Sequence, residues 1–284
     1  MSRLYRTIVA LCLCLPVLSG CSTNPATGRS QFNLLSRSEE IAIGTEAAPV
    51  LVEEYGGEVA NQRLVAYVER VGRSLVQHTE GDASTLPWEF FLLDSDVVNA
   101  FALPGGKVFI SRGLASRLSS EAELAGVIGH EIGHVTAKHA NERISQQLFV
   151  QLGIAAAGLG ASRTDEDVIK YGVPIVVGIG GRGYLLHFGR NQELEADKLG
   201  LRYMARSGYD PWALLDVMDA LQNASSGNGP PEFLSTHPLP DTRMTKIRNL
   251  LNKEHYRAAT DPRPDRFERR YETEFLALLV APGG

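Results

Sequence analysis

Cysteine is almost absent from this sequence of 284 residues. Its three cysteines, Cys12, Cys14 and Cys21, all lie at the N-terminal end. The chain that follows Cys21 can therefore form neither an internal disulfide nor a metal site with cysteine ligands. If this part of the chain binds a metal ion, the ligands must come from His, Asp and Glu side chains.

The sequence also lacks long apolar runs and an excess of positive charge. A membrane-spanning helix needs about 20 consecutive apolar residues, and the most apolar stretches, residues 148–159 and 171–181, are too short or contain Gly and Pro. We interpret them as a hairpin that is buried or faces a membrane. The formal net charge is −5, which argues against a nucleic-acid partner.

Residues 1–20 have the features of a secretory signal peptide. Arg3 and Arg6 precede an uncharged run at residues 7–18, and small residues follow. A basic start, a short apolar core and a small-residue cleavage site are typical of export signals. The run is too short for a membrane anchor and contains Pro16. We therefore predict that the protein is exported and that the signal is removed.

The segment LSGC, which ends at Cys21, resembles the lipobox of bacterial lipoproteins. The resemblance implies that Cys21 is lipidated and begins the mature chain, and more than one acyl chain gives stable membrane anchoring. Ser22 replaces the Asp that commonly retains lipoproteins in the inner membrane, which implies the periplasmic face of the outer membrane. The alternative is an ordinary secreted protein. Residues 21–36, rich in Ser, Asn, Thr, Pro and Gly, predict a flexible tether.

The remaining sequence predicts a mainly α fold of the α+β class. Helical periodicity is present at residues 39–54 and 61–77, and again in the C-terminal half of the chain. Two apolar segments, residues 88–94 and 99–111, predict strands, and the second contains a Pro-Gly-Gly turn. No internal repeat is present.

The clearest functional motif is HEIGH. Ser120 and Glu123 have the spacing of a capping box, which predicts that a long helix begins about ten residues before the motif. In that helix His130 and His134 lie one turn apart on the same face and can direct two imidazoles to one ion. Glu131 lies close enough to reach a water molecule on that ion. This is the His-Glu-x-x-His arrangement of zinc peptidases, in which the glutamate is the general base.

Two histidines do not hold a catalytic zinc ion, which takes three protein ligands and leaves one position for water. The metzincin pattern would place Gly at 137 and His at 140, where this chain has Ala137 and Ala140. His139 follows His134 by five positions and would lie about 140° away round a continuous helix. The third ligand is therefore expected to be a carboxylate from another helix.

The segment ELEAD can supply such a carboxylate. Acidic runs on helices are usually solvated, but here the run follows HEIGH. Glu193 and Asp197 share one face of a predicted helix. Glu193 can ligate the metal, while Asp197 can accept a hydrogen bond from an imidazole and fix its tautomer. Glu195 lies about 200° from Glu193 round the helix and is expected to face away.

HEIGH and ELEAD, with NAFALPGGKVFISRGL before them and STHPLPDTR after them, resemble the gluzincin metallopeptidase family of the CAAX prenyl endopeptidases and HtpX. The resemblance implies a zincin-like catalytic domain at residues 37–256, with a small β-sheet or hairpin beside the motif helix, in a periplasmic lipoprotein-type member. It implies one zinc ion per chain, with His130, His134 and Glu193 as its ligands. It also implies that Glu131 is the general base and that Asp197 accepts a hydrogen bond from a ligating imidazole. Gly189 departs from the family, where Ser is common. Residues 257–284 predict a tail with a short helix.

His237, in STHPLP, has two functional interpretations. It can donate a hydrogen bond to the oxyanion in the transition state, or it can act as a fourth zinc ligand that keeps an enzyme latent. A loop histidine with only a structural hydrogen bond is the third possibility. Arg243 is expected to order the same loop rather than to contact a substrate.

Asn99, Ala100, Phe101 and Ala102 begin the second predicted strand. If this strand has a free edge, it can take a peptide as an added strand through backbone hydrogen bonds. Recognition of this kind suits many sequences in an unfolded substrate. The alternative is an ordinary core strand.

These features predict a membrane-tethered zinc endopeptidase that cleaves unfolded or damaged envelope proteins. The alternative function is a chaperone or assembly lipoprotein with a structural zinc ion, which would be closed by four protein ligands. Glu131 argues against this alternative, since a structural site has no use for a general base.

Overall fold

The computed structural model describes residues 21–156, 187–224, 231–238, 241–253 and 265–279. The helices are α1 (Arg37–Glu54), α2 (Gln62–Val76), α3 (Arg112–Ala115), α4 (Glu121–Thr136), α5 (His139–Ala156), α6 (Arg190–Arg206), α7 (Ala213–Ala224), α8 (Glu232–Thr236), α9 (Asp241–Lys253), α10 (Glu268–Tyr271) and α11 (Ala277–Leu279), with a π-helical segment, Glu272–Leu276, between the last two. The strands are β1 (Cys21–Thr23), β2 (Ser30–Phe32), β3 (Glu89–Leu93), β4 (Ala100–Leu103) and β5 (Lys107–Ser111). The predicted mainly α fold with small sheets is confirmed.

Helix α4 is almost entirely buried. It begins where the sequence predicts, because the Ser120 side chain accepts a hydrogen bond from the Glu123 N–H at 3.2 Å. Two acidic side chains in its first turn, Glu121 and Glu123, also stabilise the helix through their interaction with the positive end of the helix dipole. The helix ends before Lys138, whose φ of 55° is left-handed, and His139 begins the next helix, α5.

Helices α4 and α6 approach each other closely through small residues. A Cβ atom on Gly200 would lie 3.0 Å from the carbonyl carbon of Gly129, and a Cβ atom on Gly133 would lie 2.7 Å from the carbonyl oxygen of Ala196. Larger side chains would force the helices apart, because interiors are close-packed. This approach brings HEIGH on α4 next to ELEAD on α6.

A three-stranded sheet lies beside α4, as predicted. Its order is β3-β5-β4, with β3 parallel and β4 antiparallel to β5. Gly105 and Gly106 supply the positive φ angles, 80° and 92°, of the turn between β4 and β5. Phe90 and the side chains on its face of the sheet pack with α2 and α4. Phe101 and Phe109, on the other face, pack with α1 and α5. Among the described strands, β4 lies at an edge of this sheet.

Residues 21–36 differ from the predicted flexible tether, because they contain a hairpin that packs on the end of α4. β1 and β2 pair in antiparallel fashion. The Asn24 amide donates to the Thr136 carbonyl at 2.9 Å, and the Gln31 amide donates to the Ala137 carbonyl at 2.7 Å. These side chains satisfy carbonyls that a helix end leaves unpaired. The tether is predicted from composition alone, and composition does not reveal hydrogen bonds to distant parts of the fold.

Residues 265–279 contain the short C-terminal helix that the sequence predicts. Tyr271 and Phe275 are fully buried, and Arg270 pairs with Glu121 at the start of α4. This segment is therefore part of the core.

Some predicted segments lie outside the described residues. These are the signal peptide at 1–20 and the second apolar stretch at 171–181. The first apolar stretch continues α5 as far as residue 156. Within the described ranges, no helix is both long enough and apolar enough to cross a bilayer.

Candidate metal centre

Two imidazoles on α4 face each other in the interior of the protein. His130 and His134 are separated by about one helical turn, and their Nε2 atoms are 3.0 Å apart. Both side chains are buried. The helix therefore presents the pair as the motif predicts.

A carboxylate from α6 and a third imidazole complete the group. Glu193 lies in the first turn of α6, and its carboxylate oxygens are 3.5 Å from His130 Nε2 and 3.4 Å from His134 Nε2. His237 directly follows α8, and its Nδ1 lies 3.1 Å from Glu193 Oε1 and 3.3 Å from His130 Nε2. The four potential ligand atoms lie within 4.8 Å of one another.

The spacing of these atoms fits a metal ion. Ligand atoms about 2.1 Å from a tetrahedral zinc ion are about 3.4 Å apart, and the neighbouring atoms here are separated by 3.0 to 3.5 Å. Glu131 lies beside the group, and among the described residues neither of its buried carboxylate oxygens has a hydrogen-bond partner. Buried polar atoms normally have partners, which include water. The four residues therefore fit a metal ion, with the carboxylate of Glu131 beside it.

A second carboxylate holds the His130 ring. Asp197 is one turn after Glu193 on α6, and its Oδ1 lies 2.9 Å from His130 Nδ1. A carboxylate only accepts hydrogen bonds, so His130 carries a proton on Nδ1, and this contact directs Nε2 toward the group. Arg243 on α9 donates to both Asp197 oxygens at 2.7 and 2.8 Å.

Arg243 has a larger part in the site than the sequence predicts. It donates to the carbonyl of Pro238 and thereby contacts the loop, as expected. It also pairs with Glu193 at 2.7 Å in addition to its contacts with Asp197. These ion pairs depend on the packing of α9 against α6, for which the sequence has no local signal.

His134 is held by a residue that helical spacing excludes as a ligand. His139 Nδ1 lies 2.9 Å from His134 Nδ1, and His139 Nε2 lies 3.0 Å from Glu195 Oε2. The expected angle of about 140° assumes a continuous helix, but the helix breaks at the left-handed Lys138. Glu195 faces away from Glu193, as expected, and meets His139. No residue type at position 138 signals this break, because lysine rarely adopts a positive φ.

Burial and neighbouring charges set the protonation of the group. Burial lowers the pKa of His130, but the carboxylates of Asp197 and Glu193 outweigh this and raise it to about 9. Burial places the pKa of His134 well below its usual range. For Glu193, burial raises the pKa, but positive neighbours outweigh it and hold the pKa well below the usual range. Burial raises the pKa of Glu131, which suits a proton acceptor.

Of the four residues predicted to bind a peptide, only Ala102 is partly exposed, while Ala100 is 1% exposed. The Asn99 carbonyl accepts a backbone hydrogen bond from β5 at 3.0 Å. The alternation of an antiparallel pair then directs the backbone groups of Ala100 and Ala102 away from β5. Among the described strands, none pairs with β4 on that side. The Asn99 and Phe101 side chains are buried, and Ala102 and His134 line the same small cavity.

The sequence is similar to known proteins of one family. Residues 62–251 match peptidase family M48. The chain is 33% identical over 238 residues to the beta-barrel assembly-enhancing protease of Escherichia coli (strain K12), and this match covers 81% of the chain and 47% of that protein. It is 31% identical over 233 residues to the mitochondrial metalloendopeptidase OMA1 of Schizosaccharomyces pombe, which covers 80% of the chain and 65% of that protein.

The chain spans about half the length of the Escherichia coli relative. The part that matches the family contains α4, α6 and all four residues whose ligand atoms converge. The chain belongs to peptidase family M48, as the resemblance of its motifs predicts.

Proposed function

We propose that this protein is a zinc-dependent metalloendopeptidase. The observation that carries the proposal is that Glu193 on α6 contacts the imidazole pair of α4. The carboxylate of Glu131 lies beside them and has no hydrogen-bond partner among the described residues. Two histidines, one acidic ligand and an adjacent glutamate are the ligand set and the base of zinc peptidases. Membership of a peptidase family supports the same conclusion.

In the proposed reaction, Glu131 takes a proton from the attacking water and later gives it to the nitrogen of the leaving amine. Bound zinc would lower the pKa of that water and polarise the carbonyl of the scissile peptide bond. The raised pKa of Glu131, which follows from its burial, makes this carboxylate a stronger proton acceptor. Asp197 keeps the His130 ring oriented throughout.

His237 is proposed to be a fourth ligand that closes the site. Its Nδ1 lies 3.1 Å from Glu193 Oε1 and 3.3 Å from His130 Nε2, which are distances found between ligand atoms of one metal ion. Its Nε2 is 3.7 Å from Glu131 Oε1. Four protein ligands would leave no position for water. We propose that His237 moves away before hydrolysis; donation of a hydrogen bond to the oxyanion is the alternative role of this histidine.

The decisive experiment compares the full chain with its Glu131→Gln variant. The variant is expected to keep one zinc ion per chain by elemental analysis and to lose about 10²–10⁴-fold of its cleavage of unfolded casein, because the general base is gone. Glu69→Gln, which removes an exposed ion pair with Arg73 on α2, is the matched control and should cleave normally. Cleavage retained by Glu131→Gln would reject the assignment. Glu193→Ala should instead lose zinc.

The rival function is a chaperone or assembly protein with a structural zinc ion. A His237→Ala variant separates the roles of this histidine. Increased cleavage would support the closing ligand, and a loss of about 100-fold would support an oxyanion donor. If neither this variant nor the unaltered chain cleaves any unfolded protein, the chaperone becomes the better explanation.

Unfolded or damaged envelope proteins are the proposed substrates. The outward backbone groups of Ala102, which is partly exposed, support binding of a peptide as an added strand, which requires no particular side chains. The Escherichia coli relative is named for enhancing β-barrel assembly, which supports a role in protein quality control. Cleavage of casein but not of a stably folded protein would agree with this proposal, and equal cleavage of both would contradict it.

A lipid anchor on Cys21 is proposed to hold the protein at the periplasmic face of the outer membrane. The segment LSGC and the following Ser22 support this location. A Cys21→Ser variant expressed in bacteria should lose labelling by radioactive palmitate and leave the membrane fraction. Cys14→Ser, within the signal, is the control and should be labelled. A labelled Cys21→Ser variant would refute the anchor.

A further inference from the structure

Each of the two imidazoles on α4 has its own chain of supporting groups. His130 contacts Asp197, and Asp197 in turn binds Arg243. His134 contacts His139, and His139 in turn contacts Glu195. Both carboxylates come from the ELEAD segment, where Glu195 and Asp197 point in different directions.

The hydrogen bonds of the second chain specify where each proton lies. Glu195 accepts only, so His139 Nε2 carries a proton. A neutral His139 then has a bare Nδ1, which must accept the proton of His134 Nδ1 across their separation of 2.9 Å. His134 is left with the lone pair of Nε2, which points toward Glu193 at 3.4 Å. This is the tautomer that a metal ligand needs.

Glu195 is held in turn by the N-terminal hairpin. Arg29 Nε donates to the Glu195 oxygens at 3.0 and 3.3 Å. Its terminal nitrogens donate to both Glu142 oxygens at 2.8 and 2.9 Å. A planar guanidinium suits such paired contacts. One arginine of the hairpin therefore connects α5, which carries Glu142, with α6, which carries Glu195.

We propose that His139, Glu195 and Arg29 are positioning residues that fix the tautomer and ring orientation of His134. The inference rests on the proposed zinc site and makes the N-terminal hairpin part of its support. Without an acceptor at His139, the neutral His134 ring is free to carry its proton on Nε2, where no metal can then bind. Removal of the relay should therefore weaken zinc binding although it touches no ligand atom.

Zinc titration of the full chain against a competing chelator tests the relay. His139→Leu removes the acceptor and is expected to weaken zinc binding by about 10–100-fold. His139→Asn places an amide oxygen near the position of the ring Nδ1, so it should accept from His134 and restore most of the affinity. The visible spectrum of the Co²⁺-substituted protein should shift in the leucine variant and return toward that of the unaltered chain in the asparagine variant.

Arg29→Ala tests the far end of the relay. It should weaken zinc binding severalfold, which is less than His139→Leu, because it acts through two intervening side chains. Arg37→Ala is the matched control: this arginine has a similar exposure but pairs with Asp82, so the variant should bind zinc normally.

Two outcomes would overturn the inference. One is normal zinc binding by both His139→Leu and Arg29→Ala. The other is binding by His139→Asn that is as weak as binding by His139→Leu, since packing and not hydrogen bonding would then explain the loss. If the leucine variant does not fold, the asparagine and Arg29 variants decide between these results. A failure of the unaltered chain to bind zinc would reject the proposed function together with this inference.

Discussion

Gly133 and Ala196 are in contact where α4 crosses α6, so closely that a Cβ atom on Gly133 would lie 2.7 Å from the Ala196 carbonyl oxygen. Gly133 directly precedes His134, and Ala196 directly precedes Asp197. The contact between these small residues therefore sets the separation between the imidazoles of one helix and the carboxylates of the other.

Gly133→Ala is expected to push the two helices apart and to weaken zinc binding at least about tenfold. The added methyl group meets backbone, which cannot rotate away, and overpacking of this kind costs about 1–3 kcal/mol of unfolding free energy. Chelator competition and thermal unfolding measure the two effects. Gly126→Ala on the same helix is the control, because its Cβ atom would have no contact closer than 3.5 Å. It should bind zinc normally and gain up to about 1 kcal/mol from helix propensity. Equal behaviour of the two variants would contradict the prediction.

Zinc affinity is expected to rise with pH up to about pH 9. The pKa of His130 in the metal-free chain is about 9, because Asp197 and Glu193 outweigh the effect of burial, so zinc must displace one proton at neutral pH. His134 and Glu193 have lowered pKa values and are already in the form that ligates. Release of one proton predicts about a tenfold lower apparent Kd per pH unit. Titrations at roughly pH 6.5, 7.5 and 8.5 measure the slope, and a flat profile would count against it.

Asp197→Asn is expected to weaken zinc binding by about 10–100-fold. The amide has the size of the carboxylate, but it binds the His130 Nδ1 proton more weakly and leaves the charge of Arg243 less compensated. The same titration measures the loss. Asp96→Asn is the control, since this side chain is 88% exposed and pairs only with Arg112 in the described residues. Unaltered affinity in Asp197→Asn would show that the ring needs no such support.

Glu121→Gln is expected to lower the unfolding free energy by about 2–3 kcal/mol at pH 7, because buried charge-assisted hydrogen bonds are lost. Glu121 is fully buried at the start of α4 and binds Arg70, Arg270 and two tyrosine hydroxyls. Denaturant unfolding measures the change. Glu69→Gln, at an exposed pair, should cost no more than about 0.5 kcal/mol.

The stabilisation by Glu121 should depend on pH. Burial raises its pKa, but hydrogen bonds from Arg270 and Arg70 outweigh burial and hold the pKa below the ordinary value of 4.5. A lowered pKa stabilises the fold above the unfolded pKa, and this contribution is lost as the pH falls through the folded pKa. The stability difference between the unaltered chain and Glu121→Gln should therefore shrink in acid. A difference that grows in acid would be inconsistent with an ionised Glu121.

The features that the sequence determines by itself are those set within one turn of a helix or along one strand. The spacing of four places His130 with His134, and Glu193 with Asp197, because α-helical geometry brings such residues to one face. Ser120 determines where α4 begins, since its hydroxyl caps the Glu123 N–H. Apolar runs on both sides of a Pro-Gly-Gly turn determine β4 and β5. All of these follow from local hydrogen bonds and side-chain direction.

Only the tertiary structure decides which of these local faces meet. The carboxylate of Glu193 reaches the imidazoles because glycines allow two helices, far apart in sequence, to pack at backbone contact. His139 reaches His134 because Lys138 adopts a left-handed conformation that its side chain does not favour. Arg29 belongs to the site because its hairpin packs on the end of α4. Such contacts depend on close packing between distant segments, and packing of that kind leaves no periodic signal in the chain.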